Sequence, residues 1–88
     1  MIEIVTLKEV KLKIGETCKA LRKQQKMSRD ELAQALDISR STIQNIENGQ
    51  NATLDTILKI ANHFDLLQLI SKSLDDFNSS NNNNISLY

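Results

Sequence analysis

Apolar residues recur at steps of three and four positions along most of the chain, the spacing that places them on one face of an α-helix. This pattern predicts five helices. The first begins at Leu7, or a turn later near Leu12, and ends near Lys26. Residues 2–5 before it could form a short strand or a frayed arm. Its inward face is predicted to consist of Leu7, Val10, Ile14, Cys18 and Leu21.

Polar residues mark the start of each predicted helix. A capping box is a Ser, Thr, Asp or Asn followed three residues later by Glu or Gln, and each of these two side chains bonds the other residue's backbone N–H. The sequence has such pairs at residues 6–9, 28–31 and 65–68. Ser39 and Thr53 are predicted to cap the third and fourth helices, and Gly49 to end the third.

The second, third and fourth helices each present one narrow apolar face. Leu32, Ala33 and Leu36 are expected to face inward in the second helix, and Ile43 and Ile46 in the third. The predicted inward residues of the fourth helix are Leu54, Ile57, Leu58, Ala61 and Phe64. Together these faces suit the core of a single small domain.

The fifth helix, predicted from Asp65 to about Phe77, is more apolar than a surface helix needs to be. One side can close the core of the monomer, and the surplus predicts contact with a second copy of the chain. Alternatively, the helix is wholly absorbed into the core. The residues assigned to the predicted dimer interface are Leu66, Leu69, Ile70, Leu74 and Phe77.

Residues 78–84 read NSSNNNN, a polar tract that cannot bury a core. We therefore expect the folded domain to occupy residues 1–77 and residues 78–88 to form a disordered tail. Residues 85–88 alternate apolar and polar side chains and could add a strand to the sheet of a partner.

Composition agrees with an all-α fold, because the 88 residues include no proline, two glycines and few aromatics. The single cysteine, Cys18, cannot form an internal disulfide, which favours the reducing cytoplasm. The amino terminus has charged residues where a signal peptide would need an apolar run. No apolar stretch approaches the ~18–20 residues of a membrane span. We expect a cytoplasmic protein that does not contact membranes.

The formal net charge is zero, which argues weakly against a nucleic-acid partner, but the charges are unevenly distributed. Residues 8–29 include eight basic side chains and two acidic ones, whereas residues 55–76 include four acids and two lysines. A local basic patch is sufficient to attract phosphates. The alternative interpretation is a solvated helix with ordinary lysines.

The spacing between Leu32 and Ile46 is typical of a helix-turn-helix. Ala33 is small enough for two helices to cross there, and Asp37 can adopt the left-handed backbone that the turn requires. The apolar residues between the helices are Leu32, Leu36, Ile38, Ile43 and Ile46. With ELAQALDISRSTIQNIENG as its most specific part, the stretch from residue 12 to about 66 resembles the lambda-repressor-like family, also called the Cro/C1 or XRE type.

This resemblance implies a five-helix domain whose third helix enters the major groove of double-stranded DNA while the second crosses the backbone. The base-reading positions that it implies are Arg40, Ser41, Gln44 and Asn45. The phosphate-contacting positions that it implies are Ser28, Arg29, Ser39, Asn48 and Gln50, with the backbone near Gly49. The chemistry agrees, since arginine pairs with guanine and the amides with adenine, each worth ~1–3 kcal/mol of discrimination.

The resemblance also implies a partly buried ion pair between Arg22 and Glu47, which would join the first helix to the third. The alternative is two exposed charges worth less than ~1 kcal/mol.

The function that this interpretation implies is sequence-specific transcriptional regulation, most simply by a dimeric repressor of its own promoter at an inverted-repeat operator. Alternatives are a helical bundle without DNA binding and an adaptor that has lost it. Residues 54–74 are also similar to antitoxins encoded beside HipA-type kinase toxins, so a toxin of that type is a further candidate partner.

Catalysis is not expected. His63 is the only histidine, so neither a metal cluster nor an acid–base pair can be built around it, and the glycines are too far apart for a phosphate loop. We predict no catalytic residues, no metal site and no cofactor.

Overall fold

The structure, a computed structural model, describes residues 4–84, with side chains from 4 to 80. Within this range all regular elements are α-helical, which confirms the all-α prediction. The helices are α1 (Leu7–Gln24), α2 (Arg29–Leu36), α3 (Arg40–Glu47), α4 (Leu54–His63) and α5 (Leu67–Asn84). Residues 1–3 and 85–88, and with them the strand considered at each terminus, lie outside the described residues except for Ile4 and Val5, which are exposed and non-helical.

A hydroxyl side chain caps the start of each of the first four helices, as the sequence predicts. At α2 the capping box is complete: the Ser28 hydroxyl accepts from the Glu31 N–H at 3.0 Å, and the Glu31 carboxylate accepts from the Ser28 N–H at 2.8 Å. Thr6, Ser39 and Thr53 each accept from the backbone N–H three residues later. These caps satisfy N–H groups that have no partner inside the helix.

The same hydrogen-bonded turn ends all four of these helices. Its central residue has a left-handed backbone, with φ between 56° and 76° at Lys26, Asp37, Gly49 and Asp65. Its N–H and the following one donate to carbonyls of the last helical turn, as Ile38 does to Ala33 at 3.0 Å. Asp37 therefore adopts the predicted turn conformation.

Asp65 was expected to cap the fifth helix, and that prediction is wrong. An N-cap residue has an extended backbone, whereas Asp65 has φ of 61° and closes the end of α4. The Leu66 N–H donates to the Ala61 carbonyl at 2.7 Å. Asp65 and Leu66 therefore belong to the turn that ends α4, and α5 begins at Leu67.

The core lies where α1, α2, α3 and α4 meet, around the fully buried side chains of Leu32 and Ile43. The other buried apolar residues of this cluster are Cys18, Ala33, Ile46, Ile60 and Phe64. Leu54 was predicted to face inward but is 73% exposed, because it opens α4 a full turn before the helix reaches the core. Ile60, which was not among the predicted inward residues, is buried.

The amino-terminal half of α1 also differs from the prediction. Leu7, Val10 and Ile14 are exposed, whereas Cys18 is buried and Leu21 half-buried. The apolar face is continuous along the helix, but only its carboxy-terminal half is buried or half-buried.

Helix α5 projects from the rest of the molecule. It continues to Asn84, seven residues beyond the end predicted near Phe77, because residues 78–84 contain no proline or glycine to stop it. All residues from 71 to 80 are exposed. The radius of gyration is 15.6 Å, against about 12 Å for a compact chain of this length. No helix in the described part of the chain is sufficiently long and apolar to cross a membrane.

Gly15 is the point of closest approach between α1 and α3. A Cβ atom at this position would lie 2.8 Å from the Glu47 carbonyl oxygen and closer still to that of Ile46. Both neighbours are backbone atoms, which cannot rotate away. The glycine therefore sets how near α3 can come to α1.

Gly15→Ala is expected to destabilise the protein. Alanine favours a helix over glycine by about 1 kcal/mol, but overpacking against a backbone costs about 1–3 kcal/mol, and the clash here is at the severe end. Urea denaturation should show a net loss of about 2 kcal/mol. The control is Lys19→Ala, an exposed position on the same helix, which should change stability by less than about 0.5 kcal/mol. Equal stability of Gly15→Ala and the parent would contradict this account of the crossing.

Candidate nucleic-acid interface

Helix α3 has one buried side and one polar side. Ile43, Ile46 and Glu47 are buried against the other helices. Ser41, Gln44, Asn45 and Asn48 follow the spacing i, i+3, i+4, i+7 and are exposed. The structure thus presents a stripe of hydroxyl and amide groups to solvent on a helix whose rotation the core determines.

Arg40 lies apart from this stripe. It follows the line of Ile43 and Glu47 one turn earlier, which directs its side chain toward α2. There its Nε is 3.3 Å from the Asp30 carboxylate. Both side chains are well exposed, at 59% and 71%, so the pair is weak and can exchange for another partner. Sequence reasoning did not identify Asp30, since the contact depends on the angle between α2 and α3.

The two predicted phosphate-contacting serines, Ser28 and Ser39, are the N-caps of α2 and α3. The first turns of the two helices lie close together, since Arg40 of α3 contacts Asp30 of α2, and each helix has the positive end of its dipole there. The Gly49 and Gln50 N–H groups, by contrast, already donate to Ile46 and Asn45. A phosphate contact in this region would use the exposed side chains of Asn48 and Gln50, not the backbone.

The Glu47 carboxylate is fully buried and receives hydrogen bonds from two arginines. Arg22 donates from Nε to Oε2 at 2.8 Å and from a terminal nitrogen to Oε1 at 3.0 Å. Arg29 donates from Nε to Oε1 at 3.0 Å. A further terminal nitrogen of Arg22 donates to the Met27 carbonyl at 2.9 Å. The network joins α1, α2 and α3 at one carboxylate.

Arg29 thus has a structural role that the sequence prediction missed. It was assigned to phosphate alone, yet its Nε is engaged by Glu47 and its side chain is only 27% exposed. No local signal identifies this contact, because Arg29 and Glu47 are eighteen positions apart.

The electrostatic balance keeps Glu47 charged. Burial raises the pKa of Glu47, but the hydrogen bonds and charges of Arg22 and Arg29 lower it by a larger amount. The pKa of Glu47 therefore lies below its ordinary value. Burial and the charge of Glu47 raise the pKa of the neighbouring Cys18 thiol to about 11. Cys18 is therefore a neutral core residue whose Sγ donates to Glu47 at 3.8 Å.

Comparison with known proteins agrees with this architecture. A family model of helix-turn-helix proteins, HTH_3, matches residues 19–72. A protein of Methanocella arvoryzae named "Putative HTH-type transcriptional regulatory protein" is 48% identical over 46 residues, which cover 52% of this chain and 14% of that protein. This chain thus corresponds to a small part of that relative. Because the family model covers more than half of the chain, the protein belongs to the Cro/C1-type helix-turn-helix family.

Glu47→Gln should destabilise the protein by about 3 kcal/mol at neutral pH, because it leaves two arginine charges without their buried partner. Glu47 has a lowered pKa in the folded state, so its contribution is complete above the ordinary pKa of 4.5 and declines as the pH falls through the folded value. Urea denaturation of both proteins should therefore show the difference shrinking in acid. Glu16→Gln, at an exposed glutamate of α1, is the control and should match the parent at each pH.

Proposed function

We propose that this helix-turn-helix protein is a transcription regulator that recognises a specific operator by inserting α3 into the major groove of duplex DNA. The observation that carries the proposal is the exposed stripe of Ser41, Gln44, Asn45 and Asn48 on a helix whose other side is fixed by Ile43 and Glu47. A groove about 12 Å wide admits one α-helix, and only a helix held in a defined rotation can offer the same groups to the same bases.

Base recognition is assigned to the amino-terminal part of the stripe. Gln44 and Asn45 each have an amide that can pair bidentately with adenine, and Ser41 can donate or accept. Arg40 would contact guanine, either in exchange for its contact with the Asp30 carboxylate or in addition to it. These are the four base-reading positions that the family resemblance implied.

Phosphate contacts are assigned to the residues around the stripe. Ser28 and Ser39 stand at helix starts, where backbone N–H groups and the helix dipole favour an anion. The terminal nitrogens of Arg29 and the side chains of Asn48 and Gln50 complete the set. Such contacts orient the protein on the duplex without reading its sequence.

Repression in the cytoplasm by a homodimer at an inverted repeat is the simplest mode of action for such a domain. Two reading helices about 34 Å apart would occupy successive turns of the major groove. The apolar residues in α5 and directly before it, namely Leu66, Leu69, Ile70, Leu74 and Phe77, are proposed to form the dimer interface. An antitoxin role beside a HipA-type kinase stays a prediction, and copurification of such a kinase with the full chain would be its test.

Three glutamines provide a matched test of the reading surface. Gln44→Ala should cost about 1–3 kcal/mol on the operator and little on random DNA, since it removes a base contact. Gln50→Ala should weaken both DNAs by a similar factor, since it removes a phosphate contact. Gln68→Ala, on the exposed surface of α5, should change neither. Affinities would be measured by fluorescence anisotropy on the sequence that footprinting identifies upstream of the gene.

If Gln44→Ala and Gln68→Ala behaved alike on both DNAs, the assignment of α3 as the reading helix would be wrong. If the parent chain showed no preference for any sequence at physiological salt, specific recognition itself would be refuted.

Asp30 is predicted to tune discrimination through Arg40. Asp30→Asn removes a negative charge beside the phosphates and loosens the arginine, so affinity for random DNA should rise several-fold while the ratio of operator to random affinity falls. The measurement is the same anisotropy titration over a range of salt. Asp55→Asn is the control, because Asp55 is another exposed acid with a basic partner, Lys59 at 3.5 Å, but lies on α4. An unchanged ratio in Asp30→Asn would contradict the role.

A further inference from the structure

The loop that follows α3, residues 48–53, runs along α1 toward the start of that helix. Gly49 packs on Leu12, since a Cβ atom at Gly49 would lie 3.3 Å from the Leu12 Cα and closer still to the Leu12 side chain. Two residues later in the loop, the side-chain oxygen of Asn51 accepts a hydrogen bond from the Lys11 ammonium. The first turns of α1 therefore flank the carboxy-terminal end of α3.

Lys11 and Gln50 line the same shallow cleft beside this loop, which has a volume of about 90 Å³. Gln50 is one of the residues to which a phosphate contact is assigned above. Both side chains are exposed. A phosphate that binds at Gln50 would therefore lie beside the cleft that the Lys11 side chain also borders.

The position of Lys11 on α1 directs its side chain toward this loop. The residues on one side of α1, spaced by three, four, three and four positions, are Lys8, Lys11, Gly15, Cys18 and Arg22. The last three of them are the buried residues of α1. The side of α1 that packs on the body of the protein in its second half thus presents two lysines in its first half, where it passes the end of α3.

The DNA contacts assigned at the two ends of α3 differ in charge. Arg29 and Arg40 stand near its start, whereas Asn48 and Gln50 at its end are neutral. A helix of eight residues is about 12 Å long, which is about the width of the major groove, so both of its ends come near phosphates. A phosphate carries a negative charge that a neutral amide does not offset. Lys11 provides a positive charge at the end of α3.

We propose that Lys11 is a phosphate-binding residue of the DNA interface, positioned by Asn51 beside the carboxy-terminal end of α3, with Lys8 adding positive charge one turn away. The inference rests on the proposed function, in which α3 occupies the major groove. It adds a part of the chain that the family match does not include, because the family model covers residues 19–72.

The chemistry of this contact gives affinity without sequence information. An ammonium is a compact charge with three donors, so it accepts any phosphate in reach. Its bond to the exposed Asn51 side chain is worth about 1 kcal/mol, so exchange of that bond for a phosphate oxygen costs little. In the free protein, Asn51 holds the ammonium near the loop and shortens the search for the phosphate.

The salt dependence of DNA affinity tests the proposal. The logarithm of the binding constant falls with the logarithm of the salt concentration by about 0.9 for each phosphate that the protein neutralises. Lys11→Ala should therefore weaken operator and random DNA several-fold by a similar factor and reduce the slope by about 1. Fluorescence anisotropy titrations over a range of salt measure both quantities in the full chain.

Lys13→Ala is the matched control. Lys13 lies two positions from Lys11 on α1, but it lines an apolar groove together with Leu66 and Ile70, on the other side of the helix. Lys13→Ala removes the same charge from the protein and should leave the slope unchanged. Equal slopes in Lys11→Ala and Lys13→Ala, whether both reduced or both unchanged, would overturn the assignment.

Two further substitutions separate a phosphate contact from a purely structural role. Lys11→Gln keeps a polar side chain that can donate to Asn51 but removes the charge, so it should lower the slope as Lys11→Ala does. Lys11→Arg keeps the charge and should retain the slope. Urea denaturation should show Lys11→Gln to be as stable as the parent. A parental slope in Lys11→Gln would limit Lys11 to its bond with Asn51 and contradict the proposal.

Asn51→Ala tests the positioning role. It removes the oxygen that holds the ammonium but no charge, so it should weaken both DNAs less than Lys11→Ala and leave the slope unchanged. In the Lys11→Ala background it should have little additional effect, because the group that it positions is gone. Independent effects of the two substitutions would refute the positioning by Asn51.

The outcomes for Lys11 and for the proposed function are distinguishable. If the parent prefers no sequence, specific recognition fails, and the slopes on random DNA still decide the contact of Lys11. If the parent is specific but Lys11→Ala has the parental slope, only the assignment of Lys11 fails. If the parent binds no DNA, both fail.

Discussion

The rest of the structure depends on one buried carboxylate. Glu47 is the last residue of α3, and its carboxylate accepts hydrogen bonds from Arg22 of α1 and Arg29 of α2. The Cys18 thiol of α1 also donates to it. Removing such a charge from water is unfavourable unless several donors replace the water, and here the donors come from separate helices. Helices α1, α2 and α3 are thereby fixed relative to one another, and α3 is the helix assigned to DNA.

The network and the glycine crossing act together. Gly15 allows the α3 backbone to approach α1 closely, and that approach brings the end of α3 within reach of the Arg22 side chain. Rotation of α3 about its axis is then limited at two points, by backbone contact at Ile46 and Glu47 and by hydrogen bonds at the Glu47 carboxylate. These two constraints determine the direction in which the polar stripe faces, although no residue of the stripe takes part in either of them.

Features that depend on neighbours in sequence were predictable from the residues themselves. Among the contacts between helices only the Arg22–Glu47 pair was expected, and that expectation came from the family resemblance. The caps at Thr6, Ser28, Ser39 and Thr53 and the turn at Asp37 follow from side-chain chemistry within four residues. The contacts of Arg29 with Glu47 and of Asp30 with Arg40 cross between helices, and no periodicity encodes them. Even a local signal was ambiguous at Asp65. The sequence there is compatible with the start of α5 and with the end of α4, and in the structure the Asp65 and Leu66 N–H groups donate to carbonyls of α4.

An apolar replacement for the Arg22–Glu47 pair would fill the same space and could be as stable, so stability alone does not explain the charges. Apolar side chains, however, tolerate small rotations of a helix with little loss, because contact is nearly independent of direction. Hydrogen bonds from a planar guanidinium to a carboxylate tolerate far less. For a helix that is proposed to present amide groups to base edges within hydrogen-bonding distance, a directional contact on the buried side is worth more than an equally stable one without direction. The chemistry of the hidden face thus sets the accuracy of the exposed one.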